Sequence, residues 1–378
     1  MGNEATAAQG KKPKLFELDL VRAFAILAVV LIHATSSATV EPAEGSLSQI
    51  FFYIVNLSGA FAVPLFIMVS GIVLFYSYDG RWNAKAAGTF YRKRAVSLVI
   101  PYLLWALFYY VFYQYLNTRA FAMDWSVFLR MLRWAEWSYH SYFMLIIFQM
   151  YVLFPLFMTL TARTSWFRHW LIPLGIAVQA GFYVYGYWFA DLSHSDRLAP
   201  TYLAYFLIGG AIGLYYLPVK AWLEKNAAVS AAIMLLGGSV YVGLFCLDRY
   251  LGITAYLVWY EVSRFVYVIG SALFLMQAGR FLLGRWKRAT AWLASIGACS
   301  FGIYLVHPSL LSAFTVKWKA PTSIIMYDLY TLLRFVVIFA GSWLLVYLYG
   351  KAANVFKRGT GRRVGKTTTG APRTGISS

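Results

Sequence analysis

The stretch LFELDLVRAFAILAVVLIHATSS (residues 15–37) decides what kind of protein this is. It is apolar and long enough to cross a bilayer, which takes about 20 helical residues, yet it contains Arg22 and His33. A charged side chain near the bilayer centre costs ~2.5–3.5 kcal/mol on insertion scales, so an ionisable residue inside a span is by default a candidate functional residue. The stretch therefore predicts a membrane helix that carries chemistry.

The spacing of the two ionisable residues strengthens this prediction. The eleven residues from Arg22 to His33 rise roughly 16 Å and turn about 1100°, within ~20° of three full turns, so both side chains share one helix face. Asp19 lies one turn before Arg22 and is placed to pair with it. The resulting polar stripe is interpreted as functional, with simple adhesion between helices as the alternative.

The composition extends the membrane interpretation to the whole chain. Of its 378 residues, 61% are hydrophobic and 12% are charged, whereas soluble domains carry about 25% charged residues. We predict an all-α polytopic membrane protein with about ten transmembrane helices in a domain at 15–350, flanked by disordered cytoplasmic tails at 1–14 and 351–378. The predicted spans are 15–38, 50–77, 95–116, 141–160, 169–190, 200–217, 227–246, 254–278, 290–315 and 324–350.

The net charge of +19 follows this topology and does not indicate nucleic acid as a partner. With the N-terminus inside, the cytoplasmic segments hold 23 of the 33 Lys and Arg residues, the outside segments hold 7, and 3 lie within spans. This excess is the positive-inside rule, and it places both termini in the cytoplasm. The expected location is the cell membrane, a bacterial inner membrane, with membrane lipids as partners.

A layer of ionisable residues is predicted toward the outer half of the membrane. Span eight carries Glu261 and Arg264, which lie one turn apart and are placed to pair. Span nine carries His307 in SFGIYLVHPSLL (residues 300–311). Counted from the ends of their spans, these residues lie at the depth of His33. Shared depth favours a common site over scattered polar contacts between helices. Arg334, in span ten, is interpreted as a structural brace.

A second group of charges is predicted at the cytoplasmic side. Arg92, Lys93 and Arg94 directly precede span three, at a depth similar to that of Arg22. Such cations anchor many spans, but grouped with Arg22 they can also clamp phosphates. Between the two groups, Ser70 and the following glycine in span two allow a ligand or another backbone to come close.

Together these segments resemble the membrane acyltransferase-3 family, polytopic enzymes that modify surface polysaccharides, lipopolysaccharide, peptidoglycan or small molecules. The resemblance rests on LDLVRAFAILAVVLIH, VPLFIMVSG, the basic residues before IPYLLW, and SFGIYLVHP, and it extends from about residue 15 to 349. It is to the membrane-only members, including the type that acetylates enterobacterial common antigen. His33 matches the family's essential first-helix histidine, and Arg22 its paired arginine.

The basic motif matches less well. Arg92 and Arg94 fall where the family often has two arginines with two residues between them, but here Lys93 alone separates them. The resemblance therefore leaves open which of these cations contacts the donor.

The expected reaction is O-acyl transfer from cytoplasmic acetyl-CoA, or another short acyl-CoA, to a hydroxyl of a cell-surface glycan or lipid-linked sugar. In this hypothesis the roles fall to nine residues: His33 as general base, Glu261 to stabilise its imidazolium, Arg22, Arg92, Lys93 and Arg94 to hold the CoA phosphates, Arg264 or His307 to stabilise the oxyanion, and Ser70 to contact substrate.

Two alternatives remain open in the sequence. His33 could itself carry the acyl group as a relay, or the chain could be a transporter or flippase for a polysaccharide precursor. No metal is expected, because His33 and His307 lack the third ligand of a catalytic zinc site. His140, His169 and His194 lie in or beside loops, where an isolated histidine is more often inert. For His140, at the outer start of span four, lining an acceptor groove is the alternative.

Overall fold

The computed structural model describes residues 12–189 and 192–366, with side chains up to residue 355. Most of the predicted tail at 1–14 and the end of the tail at 351–378 thus lie outside the described residues. The part that is described is helical, without strands. Its α-helices are α1 (Glu17–Thr35), α2 (Leu47–Leu57), α3 (Ala62–Tyr78), α4 (Ala84–Arg94), α5 (Ile100–Thr118), α6 (Trp125–Trp134), α7 (Tyr142–Arg163), α8 (Phe167–Trp188), α9 (Leu203–Leu214), α10 (Tyr216–Lys225), α11 (Ala227–Leu251), α12 (Leu257–Arg285), α13 (Lys287–Lys317) and α14 (Ile324–Lys366).

The prediction of an all-α polytopic membrane protein is confirmed. By length and composition, eight segments of the described chain can cross a membrane, or nine if the bent pair α9 and α10 counts as one span. Helix α8 occupies the predicted span 169–190 but is not among these segments. Its polar residues, Arg168, His169 and Gln179, lower its mean hydropathy.

Three predicted spans differ in shape from the structure. The span at 50–77 is broken between α2 and α3, and the span at 200–217 bends by 91° between α9 and α10. Helix α14 continues to Lys366, so the first part of the predicted disordered tail at 351–378 is helical. Apolar patterning could not show the break between α2 and α3, because both halves are apolar, and it could not show the bend after α9, because it reports the length of an apolar run and not its direction.

Contacts between the connections divide the bundle into two ends. At the basal end, where α1 begins, Asp79 binds Lys12 at 3.0 Å and Arg168 at 3.1 Å. At the distal end, where α1 ends, Arg249 lies 3.4 Å from Glu44. The basal contacts join segments that are predicted to lie inside the cell, and the distal contact joins segments that are predicted to lie outside. A chain that crosses the membrane back and forth requires this separation.

Helix α6 is an amphipathic helix in the connection between predicted spans three and four. Asp124 caps its first turn, accepting hydrogen bonds from the backbone N–H groups of Ser126 and Val127 at 2.9 and 3.1 Å. These bonds and that from the Ser126 hydroxyl hold the pKa of the exposed Asp124 carboxyl below its usual value. Trp125 and Leu129 stay exposed on the apolar face, as on helices that lie in a membrane interface.

Helix α1 lies at the centre of the bundle and packs against α3, α12, α13 and α14. The contact with α13 is closest at Gly297, where an added Cβ would lie 1.7 Å from the carbonyl oxygen of Asp19. The same feature joins α3 to α9, because a Cβ on Gly71 would lie 2.2 Å from the carbonyl oxygen of Phe206. Glycine thus sets how closely the central helices approach, as is common in membrane bundles.

Replacing Gly297 by alanine is expected to destabilise the bundle by about 3 kcal/mol, because the added methyl group meets backbone that cannot rotate away. Thermal unfolding of the purified protein in detergent would measure the change. Gly243→Ala is the matched control, since nothing lies within 4 Å of its added Cβ, and it should be neutral or slightly stabilising. Equal unfolding temperatures for the two variants would contradict the close approach of α1 and α13.

Candidate active site

His33 lies in the last turn of α1 and is partly buried against two other rings. The ring of Tyr139, from the connection before α7, has its centroid 4.5 Å away. The ring of His307, from α13, lies 5.4 Å away and nearly parallel, at 26°. The structure thus brings together two of the predicted catalytic residues from sequence positions far apart.

His307 is fully buried and its tautomer is fixed by one hydrogen bond. Its Nδ1 lies 3.0 Å from the carbonyl oxygen of Ile303, which can only accept, so Nδ1 carries the proton. In the neutral ring Nε2 is then unprotonated and carries a lone pair. It has no hydrogen-bond partner among the described residues. Neutral His307 is therefore an acceptor, which contradicts its expected role as oxyanion donor.

His140 completes the group, and sequence reasoning did not place it beside His307. Its ring is 1% exposed and lies 5.4 Å from that of His307. Nδ1 of His140 lies 3.0 Å from the Ser138 hydroxyl, and Nε2 is buried without a partner in the described chain. Its place in a connection gave no periodicity from which burial could be inferred. His33, His140 and His307 are called the histidine cluster below.

A cleft of about 300 Å³ runs from the basal side of the bundle toward this cluster. It is lined by Arg22, Phe66, Ser70, Arg94, Ser97, Leu98, Phe143, Met144, Ile147, Tyr151, Ser300, Phe301 and Tyr304. Between α4 and α5 its wall is a π-helical segment, Ala95–Val99, which sequence reasoning did not foresee. Such segments are rare and frequently occur at functional sites.

The cleft carries two guanidinium groups. Arg22 is held by Asp19 at 3.0 Å, as predicted, and Asp19 also binds Lys14 at 2.5 Å. Arg94 stacks over the ring of Tyr151 at 4.8 Å and makes no ion pair within the described residues. Asp19 is shared between Lys14 and Arg22, so it does not fully neutralise Arg22. The cleft therefore keeps a net positive charge, which favours an anionic ligand.

The three adjacent cations before the third span differ in their surroundings. Arg94 is partly buried and lines the cleft, whereas Arg92 and Lys93 are exposed and do not line it. Consecutive residues of a helix are rotated by about 100° about its axis, so only one of the three side chains can point into the bundle. Of the predicted donor-binding cations, the cleft thus gathers Arg22 and Arg94, with Ser70 beside them.

Tyr304 connects the cleft with the histidine cluster. It lines the cleft, and its ring centroid lies 4.8 Å from that of His140 and 6.2 Å from that of His307. Its hydroxyl donates to the backbone carbonyl of His140. A ligand bound at the cations can therefore extend to within one side chain of the histidines.

Glu261 does not join the cluster, contrary to the prediction that it supports His33. It pairs with Arg264 at 2.5 Å, and Arg264 also binds the Tyr183 hydroxyl at 3.0 Å. No hydrogen bond or ion pair joins a carboxylate to His33 in the part of the chain that the structure describes. Arg264 is likewise engaged elsewhere and is not placed as the oxyanion donor.

The broken span explains this separation. The turn between α2 and α3 lies between α1 and the distal half of α12. On one side a Cβ on Gly59 would lie 2.6 Å from the Ile32 side chain, and on the other the Ser58 carbonyl accepts a hydrogen bond from Tyr267 at 2.7 Å. Near the basal end, by contrast, α12 approaches α1 directly, since a Cβ on Gly279 would lie 3.2 Å from the carbonyl oxygen of Glu17.

Within residues 12–189 and 192–366, no three His, Cys, Asp or Glu side chains converge in a way that could hold a metal ion. The histidine cluster is a set of packed rings rather than a set of converging lone pairs.

Comparison of the sequence with known proteins identifies the family. The profile of the family described as an acyltransferase domain matches residues 15–348. Two relatives, from Staphylococcus epidermidis and from a strain of that species, are each 26% identical over 318 residues, which is 80% of this chain and 82% of the relative. Both are named probable poly-beta-1,6-N-acetyl-D-glucosamine export protein. No solved structure matches the chain.

Proposed function

This chain belongs to the acyltransferase-3 family and is a multi-pass membrane protein, and from its site we propose that it transfers an acetyl or other short acyl group from acyl-CoA to a hydroxyl of a glycan. The observation that carries the proposal is the cleft itself. It has Arg22 and Arg94 in its wall, and Tyr304 separates it from the histidine cluster.

The two arginines are the proposed binding site for the CoA phosphates. Arginine forms charge-assisted, frequently bidentate hydrogen bonds with phosphate. Both groups lie toward the basal end, which the charge distribution of the sequence assigns to the cytoplasm, where CoA thioesters are found. The thioester would then lie deeper, beside Tyr304.

His33 is the proposed general base. It takes the proton from the acceptor hydroxyl, the oxygen attacks the thioester carbonyl carbon, and the C–S bond breaks. The proton then passes from the imidazolium to the departing CoA thiolate, so the enzyme returns to its starting state. A neutral imidazole can accept this proton, and general base catalysis typically contributes ~10²–10⁴-fold.

A covalent relay through His33 is a second route to the same products. In that route the imidazole attacks the thioester, thiolate leaves, and the acyl-imidazole then reacts with the acceptor hydroxyl. Labelled acetyl-CoA given without acceptor separates the routes. A labelled His33 peptide supports the relay, and unlabelled protein that transfers once acceptor is added supports direct transfer.

The proposed acceptor is a polysaccharide or its lipid-linked precursor at the distal end of a bacterial inner membrane. The names of the two staphylococcal relatives connect them with an N-acetylglucosamine polymer, which is rich in hydroxyl groups. The proposed approach of the acceptor is from the distal end, where Ser36, in the turn after His33, is exposed.

Export is the competing function, favoured by the names of those two relatives. A pure exporter of glycan has no need of a CoA site. Acetyl-CoA should therefore raise the unfolding temperature of the purified protein only if it is a substrate. At about 100 times its Kd a ligand adds ~2.7 kcal/mol.

The experiment that tests the proposal uses membranes with and without this protein. Each receives acetyl-CoA labelled in the acetyl group, and base-labile label is counted in the glycan and lipid fractions. Label that depends on the protein is the expected result. Absence of label, combined with no thermal stabilisation by acetyl-CoA, would contradict the proposal.

A further inference from the structure

Two side chains from different helices hold the backbone on either side of His33. Asn56, at the end of α2, donates from Nδ2 to the Ile32 carbonyl at 2.7 Å. Arg334, from α14, donates to the Ala34 carbonyl from Nε at 2.9 Å and from Nη2 at 2.5 Å. The two carbonyls that are held belong to the residues immediately before and after the histidine.

Both contacts reach further along the same turn. Asn56 also donates to the Thr35 hydroxyl at 3.0 Å, and Arg334 donates to the Ser37 hydroxyl at 2.7 Å. Arg334 is only 5% exposed, so its guanidinium group contacts the end of α1 and not solvent. Each side chain thus ties its own helix to the end of α1 at two points.

The position of these contacts has a physical explanation. The last four carbonyls of a helix have no partner within the helix, and α1 ends at Thr35. In the membrane an unpaired polar group costs several kcal/mol, so these carbonyls need donors. A guanidinium also interacts favourably with the negative end of the helix dipole. Water or a short cap would satisfy the carbonyls equally, but neither would fix the last turn relative to α2 and α14.

The ring of His33 is itself held by no hydrogen bond to the described residues. It contacts the rings of Tyr139 and His307 and is otherwise partly open. The orientation of the ring consequently depends on the position of the His33 backbone, which fixes its Cα and Cβ atoms. A catalytic group that is displaced by about 1 Å can lose ~10²-fold in rate.

We propose that Asn56 and Arg334 are positioning residues that aim His33, an inference that rests on the proposed function of His33. They touch neither substrate nor reacting atoms, and they act through the Ile32 and Ala34 carbonyls. A purely structural brace would affect stability and donor binding together, whereas a positioning role affects the chemical step.

The test compares Arg334→Met and Asn56→Leu with wild type in detergent or proteoliposomes. We expect kcat to fall about ten- to a hundredfold in each, while KM for acetyl-CoA stays unchanged. Arg334→Lys keeps the charge but not the two-nitrogen contact with Ala34, so it should restore only part of the rate. Arg249→Met is the matched control, because Arg249 also lies at the distal end and contacts Glu44 but no α1 carbonyl.

A second measurement reports the ring independently of turnover. Carbethoxylation by diethyl pyrocarbonate, followed by peptide mass spectrometry, gives the reactivity of His33, with the basal His169 as internal reference. The rate at His33 should change severalfold in Arg334→Met and Asn56→Leu and stay constant in Arg249→Met. Unchanged kcat together with an unchanged His33 rate would overturn the inference, as would an equal fall of kcat in Arg249→Met.

These outcomes separate the inference from the proposed function. If His33→Ala transfers at the wild-type rate, the proposed role of His33 fails, and with it the catalytic meaning of the positioning contacts. If His33→Ala is inactive but Arg334→Met and Asn56→Leu are fully active, the role of His33 stands and the positioning inference fails.

Discussion

Replacing His33 by alanine is expected to lower acyl transfer at least about a hundredfold, because a general base typically contributes ~10²–10⁴-fold. The substitution removes the only partly open ring of the histidine cluster, while His140 and His307 stay buried. Donor binding should survive, since Arg22 and Arg94 lie in the cleft on the other side of Tyr304. The measurement is base-labile label transferred from acetyl-CoA in membranes with matched protein levels.

His169→Ala is the matched control for this experiment. His169 lies at the basal start of α8, where its Nε2 is 3.4 Å from the Tyr215 hydroxyl, away from the cluster. It should transfer at the wild-type rate and unfold at the wild-type temperature. Equal label from His33→Ala and wild type would remove His33 from the mechanism.

The second large effect is expected at Arg94. Arg94→Gln should raise KM for acetyl-CoA about ten- to a hundredfold, because a hydrogen bond to a charged group contributes ~1.5–3 kcal/mol. The chemical step should be affected much less, since Arg94 is remote from His33. Arg94 is a cleaner test of donor binding than Arg22, because Arg22 also holds Asp19 at 3.0 Å. Initial rates over a range of acetyl-CoA concentrations give both constants.

Lys93→Gln is the natural control, because it removes one positive charge from the adjacent residue. Lys93 is exposed and does not line the cleft, so KM should stay near the wild-type value. A general effect of charge at the membrane surface would instead raise KM equally in both variants. That result would contradict the assignment of Arg94, rather than its neighbours, to the donor.

The fold class was predictable because it depends on local composition. Apolar runs of about 20 residues identify helices that cross a membrane whatever lies beside them. The pairs Asp19 with Arg22 and Glu261 with Arg264 were predictable for the same reason, since residues three apart on a helix are neighbours. Both pairs are confirmed, at 3.0 and 2.5 Å. The breaks at Ser58–Phe61 and between α9 and α10 escaped prediction, because hydropathy registers apolar length and not direction.

The sequence by itself thus determined that the chain is a helical membrane protein and that His33 and Arg22 belong to its first helix. Depth along a helix follows from counting residues, so it also indicated that His307 lies at the level of His33. Only the tertiary structure decided which residues at one level meet. It brought His140 against His307, chose Arg94 among three adjacent cations, and kept Glu261 away from His33. The physical reason is that the depth of a residue is only one of its coordinates. Contact between two residues also depends on the lateral order and the rotation of their helices. Packing at positions such as Gly297 and the α2–α3 turn determines both.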